Sequence, residues 1–217
     1  MRVLEHLDLV QTFRNGANLA FLLRSSALKS LDSIQSAAAR KIALDSLDAI
    51  ANGGINDQIG GGFHRYTVDG DWKVPQFYKM LHEQATMVDA YTEAWKATKE
   101  SRYREAVVDT CSYLIRDILV PSDGFFSAED AESYESEESS PKREGAFYVC
   151  SLSQAEEAFE ETWLLALASA YYGYGRMATP LAQGLVQTNS TATMFFVSKN
   201  QFQKSRDGIG RELISLA

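Results

Sequence analysis

The sequence has few cysteines, no excess of positive charge and no apolar run long enough to cross a membrane. Its two cysteines, Cys111 and Cys150, lack CxxC spacing and give no support for a disulfide framework or a zinc site. Asp and Glu outnumber Lys and Arg by 29 to 21, which argues against nucleic acid or an anionic membrane as a partner. The longest apolar run, 163–175, is shorter than a hydrocarbon core of ~30 Å requires. With no secretory signal visible, a cytoplasmic protein is expected.

The residues that are present predict a helical core. The chain has 217 residues, 45% of them apolar, which is enough for one domain or two small ones. Apolar positions recur at helical spacing and predict helices over 17–31, 34–52, 76–98, 102–119, 154–161 and 162–174. The third and fourth should form an antiparallel hairpin because a short polar link joins them. Ile42 and Cys111 lie on the apolar faces of their helices and are predicted to be in the core.

Short extended segments separate the predicted helices. Residues 64–74 flank an Asp-Gly turn and predict a β-hairpin that ends at Pro75. Residues 131–143 are rich in Glu and Ser, which predicts a solvated loop, and a strand is predicted over 144–150. Helix pairs with small hairpins at one end are typical of an all-α fold.

One loop, GGINDQIGGGFHRY at 53–66, interrupts the helices with glycines and polar side chains. Glycine lets a backbone turn tightly and approach another surface closely. Polar side chains bind polar ligands, aromatic faces stack on sugar rings, and loops on a rigid frame often form such sites. The alternative is a plain turn, in which Phe63, Tyr66 and Trp72 cover the helix ends and Arg65 pairs with a nearby Asp.

This loop does not match a nucleotide or metal site. The triple glycine at 60–62 does not form a GxGxxG pattern after a strand. The three histidines of the chain lack the spacing of metal ligands. We therefore expect no metal and no cofactor.

Carboxylates in the second half of the sequence are the other candidate functional groups. Glu129, Asp130 and Glu144 could act as acid and base if they face a cleft, as in glycoside hydrolysis. The alternative is that this acidic stretch is a solvated surface.

Three motifs in order resemble the spermatogenesis-associated protein 20 family. They read GGINDQIGGGFHRYTVDGDWKVPQFYKML, DGFFSAEDAES and EGAFYV in this chain. The family pattern is approximately GGI-DQ-GGGFHRYSVD-W-VPHFEKMLYDQA, then GGFYSAEDADS, then EGAFYVW. Several long motifs in the same order make the resemblance specific, and it covers about residues 19–160.

The resemblance implies a fold and a pocket. Proteins of this family have a thioredoxin-like domain followed by a long helical domain, an (α/α) toroid similar to six-hairpin glycosidases and sugar 2-epimerases. The inner helices of such a toroid ring a pocket that loops at one end line, and carbohydrate chemistry follows from this fold by analogy. We therefore expect a partial toroid over 19–175 with short β-hairpins at the pocket end, an unassigned segment at 1–18 and a poorly assigned segment at 176–217.

The chain departs from the family pattern in three ways. It lacks the thioredoxin-like domain, so no redox activity is expected, and it predicts fewer helices than a complete toroid needs. Gln76 replaces a His and Tyr78 replaces a Glu of the pattern. Gln cannot act as a general base, and Tyr, with a pKa of about 10, is a poor substitute for a carboxylate. The chain is therefore expected to be a fragment, a truncated product or a half-ring that a partner completes.

The sequence supports two functional interpretations. In the first, the chain binds a small carbohydrate or processes it by epimerisation or hydrolysis. The catalytic candidates are His64, Glu129, Asp130 and Glu144, and the ligand-binding candidates are Asp57, Arg65, Tyr66, Trp72, Gln76, Lys79 and Tyr148. In the second, the chain is a non-catalytic remnant whose exposed hairpin faces bind a protein partner or a second copy.

Overall fold

A computed structural model describes most of the chain up to residue 151 and a few residues beyond it. The described residues are 12–13, 15–28, 30–68, 72, 74–122, 124–134, 141–151, 154, 156–157, 163 and 193–195. The chain divides into two compact units, Met1–Asp130 and Ala131–Ala217. The predicted domain bounds at residues 18 and 175 stay a prediction.

Four α-helices account for most of the described residues of the first unit. They are α1 (Gly16–Ser26), α2 (Ser33–Asn52), α3 (Leu81–Thr98) and α4 (Ser101–Tyr113). Asn15 caps α1 by accepting a hydrogen bond from the Asn18 N–H at 3.1 Å. Asp32 caps α2 in the same way. The mainly helical class predicted from the apolar spacing is therefore confirmed.

The core of the first unit lies where α1 packs against α2 and α3, and where α3 packs against α4. Leu47 of α2 and Met87 and Tyr91 of α3 are fully buried there. The Tyr91 hydroxyl donates to the Leu47 carbonyl at 2.8 Å, and its ring stacks on Phe63 with 5.5 Å between the ring centroids. Phe63 thereby attaches the glycine-rich loop to the helical core.

Two residues predicted for the core lie outside it. Ile42 is 55% exposed, because the buried face of α2 passes instead through Ala43, Leu47 and Ile50. Cys111 of α4 is only half-buried. Helical spacing alone left a band of apolar residues on α2 wider than the face that its neighbours cover.

Three helix boundaries differ from the predictions. α1 stops at Ser26 rather than at residue 31. α3 begins at Leu81 rather than at residue 76, because the preceding residues are extended and pair with other strands. α4 ends at Tyr113 and passes into a π-helical turn, Leu114–Ile118, where the sequence predicts a continuous α-helix.

Short antiparallel strands connect these helices. β1 (Thr12–Phe13), β2 (Tyr66–Thr67) and β3 (Pro75–Gln76) form a sheet with β2 in the centre. The predicted hairpin is therefore present, but Pro75 lies inside its second strand, where an edge position tolerates a missing N–H. The two remaining pairs of this unit are β4 (Lys79–Met80) with β7 (Ala128–Glu129), and β5 (Leu119–Val120) with β6 (Gly124–Phe125).

The described part of the second unit contains two antiparallel strand pairs. They are β8 (Glu132–Ser133) with β9 (Arg143–Glu144), and β10 (Val149–Ser151) with β11 (Thr193–Phe195). The strand predicted over 144–150 is interrupted by a turn at 145–148, because Gly145 adopts a φ of 72°. The helices predicted over 154–161 and 162–174 lie mostly outside the described residues. No helix in the described part of the chain is both long and apolar enough to cross a membrane.

Candidate functional site

The glycine-rich loop between α2 and β2 folds back on itself. Asn56 and Phe63 form an isolated antiparallel bridge, and the Asp57 N–H donates to the Gly62 carbonyl at 3.0 Å. Gly61 and Gly62 have φ angles of 77° and 72°, a conformation that favours glycine. The glycines therefore allow a closed loop in which residues 56–57 lie beside residues 62–63.

A buried ion pair lies inside this loop. The Lys79 Nζ is 2.7 Å from the Asp57 Oδ2, and Lys79 is only 1% exposed. The Asp57 Oδ1 accepts hydrogen bonds from the Ile59 N–H at 3.1 Å and the Gly60 N–H at 2.7 Å. Burial raises the pKa of Asp57, but the charges of Lys79 and His64 and these hydrogen bonds outweigh it and hold that pKa below its usual range. Because Asp57 occupies the loop N–H groups, they do not form a phosphate cradle.

Three side chains lie against the glycine triplet at 60–62. The first carbonyl accepts a hydrogen bond from the Arg116 guanidinium. The second carbonyl accepts one from the Lys79 Nζ at 2.9 Å. The carboxylate of Asp109 lies against the second glycine, where an added Cβ would be 3.1 Å from its Oδ2. Lysine from β4 and side chains from α4 and the π-helical turn thus fix the loop.

Tyr113 joins this loop to Glu129. Its ring lies against Gly62, where an added Cβ would be 2.6 Å from the Tyr113 Cδ1, and the Lys79 Nζ lies 4.4 Å from the ring centroid. The Tyr113 hydroxyl donates to the Glu129 Oε2 at 2.7 Å. Burial and the Glu129 charge raise the pKa of Tyr113, so it stays a neutral donor. Lys79 and Glu129 face each other directly across the β4–β7 pair.

Gln84 and the His64 ring make further buried contacts at the end of the loop. Gln84 is buried and makes two hydrogen bonds to the Phe63 backbone, accepting from its N–H at 2.9 Å and donating to its carbonyl at 2.7 Å. His64 is also buried, with its Nδ1 3.3 Å from the Phe77 carbonyl and its ring edge-on to the Phe77 ring. Sequence reasoning missed Gln84, although a glutamine on the apolar face of a helix was a usable signal.

Arg65 and Glu83 form a second charged pair. Their closest atoms, Nε and Oε1, are 4.0 Å apart, and Glu83 is the more buried partner. Arg65 thus pairs with a carboxylate, and the pairing with a nearby Asp that the plain-turn alternative predicts stays a prediction. Glu83 was missed because it lies in the first turn of α3, where an acidic residue is ordinary.

The aromatic and amide candidates of the hairpin differ in their surroundings. Tyr66 is half-buried and lies opposite Gln76 in the β2–β3 pair. Trp72 packs against the core, and its carbonyl accepts a hydrogen bond from the Gly54 N–H at 2.6 Å. The Oε1 of Gln76 is buried and accepts no hydrogen bond within the described part of the chain.

Three candidates lie near or beyond the boundary between the units. Asp130 is exposed at the end of the first unit. Glu144 is half-buried in β9, and Tyr148 is buried in the turn before β10, both within the second unit. The first unit thus brings together Asp57, Lys79 and Glu129, with His64 close to Asp57. The roles assigned to all these residues stay predictions. Among the described residues no group of three or more His, Cys, Asp or Glu side chains could hold a metal ion.

Comparison with known proteins supports the motif resemblance. Over 123 residues the chain is 40% identical to spermatogenesis-associated protein 20 of Homo sapiens and 38% identical to that of Mus musculus. The recognised resemblance is confirmed over this stretch. It covers 57% of this chain. An uncharacterized protein of Caenorhabditis elegans is 40% identical over 104 residues, which are 47% of this chain and 14% of that protein. No family model matches the chain.

The chain spans 16% of the length of the human relative and 15% of the mouse relative. The names of these relatives state no reaction, substrate or partner. The similarity therefore shows which proteins this chain resembles.

Proposed function

We propose that this chain forms part of a carbohydrate-binding pocket in a partial (α/α) toroid, with the glycine-rich loop and the short strands at the pocket end. The observation that carries the proposal is the Gln76 Oε1, a buried acceptor that receives no hydrogen bond within the described part of the chain. Leaving such an acceptor unpaired costs about 1–3 kcal/mol, so a hydroxyl group that donates to it gains that energy back. Sugars supply such hydroxyl groups. The buried Oε1, like the His64 ring, is reached by a ligand only when the surrounding residues move.

The surrounding charges favour a neutral ligand held by hydrogen bonds. Lys79 is neutralised by Asp57, and Arg65 lies beside Glu83. Glu129 adds a carboxylate acceptor that Tyr113 holds in place. A preformed set of acceptors next to paired cations suits hydroxyl donors better than phosphate or carboxylate groups.

We infer binding rather than turnover for this chain. His64 is buried, so a substrate atom reaches it only if the loop opens. Gln76 and Tyr78 stand where the family pattern has a His and a Glu, and neither replacement supplies a general base at neutral pH. Glycoside hydrolysis or epimerisation needs such a group.

A thermal melt with a sugar panel tests the proposal. The purified chain is unfolded by heat with and without neutral sugars such as glucose, mannose, N-acetylglucosamine and cellobiose, followed by circular dichroism. We expect one sugar to raise the melting midpoint, since a ligand at 100 times its Kd stabilises the folded state by about 2.7 kcal/mol. Proton NMR of that sugar should show no conversion over the same period. If no sugar raises the midpoint, the carbohydrate proposal is wrong.

Gln76→Met separates this site from a general effect of sugars. The substitution removes the unpaired acceptor and keeps a similar side-chain volume, so we expect the sugar-free melting midpoint to stay or rise while the sugar-induced shift disappears. Gln35→Met on the exposed face of α2 is the matched control and should keep the shift. Equal shifts in both variants would contradict the role of Gln76.

A second candidate function is protein interaction without catalysis. Three large apolar side chains around the β5–β6 pair are exposed: Ile115 by 65%, Phe125 by 50% and Phe126 by 57%. The Phe126 N–H donates to the Ile118 carbonyl, which places the backbone of Phe126 next to the end of the π-helical turn that contains Ile115. An exposed apolar cluster of this kind is typical of a protein interface.

A further inference from the structure

Tyr113 lies inside the candidate site but is not one of its expected ligand-binding residues. It is a buried residue at the end of α4, only 1% exposed. Its ring lies against Gly62, which has no room for a Cβ, and the Lys79 Nζ is 4.4 Å from the ring centroid. Burial and these two contacts restrict the movement of the ring and of its hydroxyl.

That hydroxyl points at a carboxylate that is less buried than itself. The Tyr113 hydroxyl donates to the Glu129 Oε2 at 2.7 Å, while Glu129 on β7 is half-buried. A glutamate side chain has several staggered rotamers. The hydrogen bond selects one of them, and hydrogen bonds to charged groups are stronger than those between neutral groups.

We infer that Tyr113 is a positioning residue that orients the Glu129 carboxylate toward the carbohydrate. This inference rests on the proposed function, in which Glu129 accepts hydrogen bonds from a sugar. The triple glycine then has a structural purpose, because a side chain at position 62 would displace the Tyr113 ring. Lys79, bound to Asp57 and to the Gly61 carbonyl, also contacts this ring.

Carboxyl footprinting tests this without any ligand. Water-soluble carbodiimide and glycine ethyl ester label accessible carboxylates, and peptide mass spectrometry gives the labelling rate of Glu129. We expect a several-fold faster rate in Tyr113→Phe, because the carboxylate loses the hydrogen bond from the phenol and becomes more accessible. Tyr103→Phe is the matched control, since Tyr103 is also 1% exposed, on the same helix, with its hydroxyl bound to Arg102. Its Glu129 rate should match that of the unchanged chain.

A second measurement leaves Tyr113 unchanged. The chain is labelled with 3-fluorotyrosine, and fluorine NMR compares it with Glu129→Gln. One resonance should move, since one phenol loses its charged partner. Unchanged spectra together with an unchanged Glu129 labelling rate in Tyr113→Phe overturn the inference.

Sugar binding separates the inference from the proposed function. With the sugar that raises the melting midpoint, Tyr113→Phe should weaken binding about tenfold, or about 1.4 kcal/mol, and should add nothing in a Glu129→Gln background. If Glu129 is labelled faster in Tyr113→Phe but no sugar binds to the unchanged chain, the hydrogen bond is supported and the carbohydrate proposal is overturned. Sugar binding that is equal in all these variants overturns the positioning role.

Discussion

Lys79 and Asp57 bind each other inside the glycine-rich loop, and both are almost fully buried. The ligand-binding role that the resemblance implied for both residues stays a prediction. They are 22 residues apart, so no local spacing rule reveals the pair. A buried lysine needs a partner carboxylate, yet the sequence does not tell which of its 29 acidic residues that is.

Breaking this pair should destabilise the fold strongly. Asp57→Asn leaves Lys79 buried without its counterion, and Lys79→Met does the same to Asp57, so each should lower the free energy of unfolding by about 3–5 kcal/mol at pH 7. The double variant should lose less than the sum of the two. Urea unfolding followed by circular dichroism measures all three.

The stability that the Asp57–Lys79 pair contributes should depend on pH. The pKa of Asp57 is lowered in the folded state, so its ionised form stabilises the fold above its unfolded pKa and this contribution is lost as pH falls through the folded pKa. The difference in the free energy of unfolding between the unchanged chain and Asp57→Asn should therefore narrow below about pH 4.

An exposed ion pair is the control for the buried one. Lys41→Met removes an exposed i,i+4 partner of Asp45 and should change the free energy of unfolding by less than about 1 kcal/mol. An equally large loss in that control would contradict a special role for the buried pair.

At the scale of elements, apolar spacing located the helices better than their ends. α2 was predicted almost to the residue because Asp32 caps its start and glycines follow its end. α3 was predicted to start too early because Phe77 and Met80 continue the helical spacing although they belong to extended segments. Backbone pairing with distant strands decided that boundary, and spacing within the helix contains no information about it.

Gly62→Ala tests how the loop element depends on glycine. The φ of 72° disfavours any side chain, and the added Cβ would lie 2.6 Å from the Tyr113 ring, so we expect a loss of at least about 1–2 kcal/mol in the free energy of unfolding. Gly124→Ala is the matched control, because nothing lies within 4 Å of its added Cβ. Its stability should stay within about 1 kcal/mol or improve slightly. Denaturant unfolding of both variants decides the point, and equal losses would contradict the close approach.

At the scale of the whole molecule, the sequence indicated the mainly helical class and the resemblance to spermatogenesis-associated protein 20. The motifs that carried the resemblance are the ones that build the loop, the β4 lysine and Glu129. The closure of a toroid could not be predicted from this chain, because closure depends on which helices pack at its two ends. Ile34 and Ile42 of α2 are exposed apolar side chains, and a further helix of a closed toroid could cover them.

The exposed cluster at the β5–β6 pair should cause association if the interaction interpretation holds. We expect the chain to show a concentration-dependent mass by size-exclusion chromatography with light scattering, and Phe125→Ser with Phe126→Ser to reduce it. Phe21→Ser is the control, since Phe21 is 67% exposed but lies on α1. A constant monomer mass in all three proteins would contradict self-association through this surface.

The π-helical turn at Leu114–Ile118 has a consequence for how this segment tolerates deletions. A π turn holds one residue more than an α turn, and the Leu119 N–H bonds back to the Leu114 carbonyl accordingly. Removing any one residue of the turn would let α4 continue as a regular helix, but would rotate the next strand about the helix axis by about 100°. Arg116 would leave the Gly60 carbonyl, and the strand at Leu119 would no longer face its partner. The number of residues in this turn therefore determines whether Arg116 can reach the glycine-rich loop.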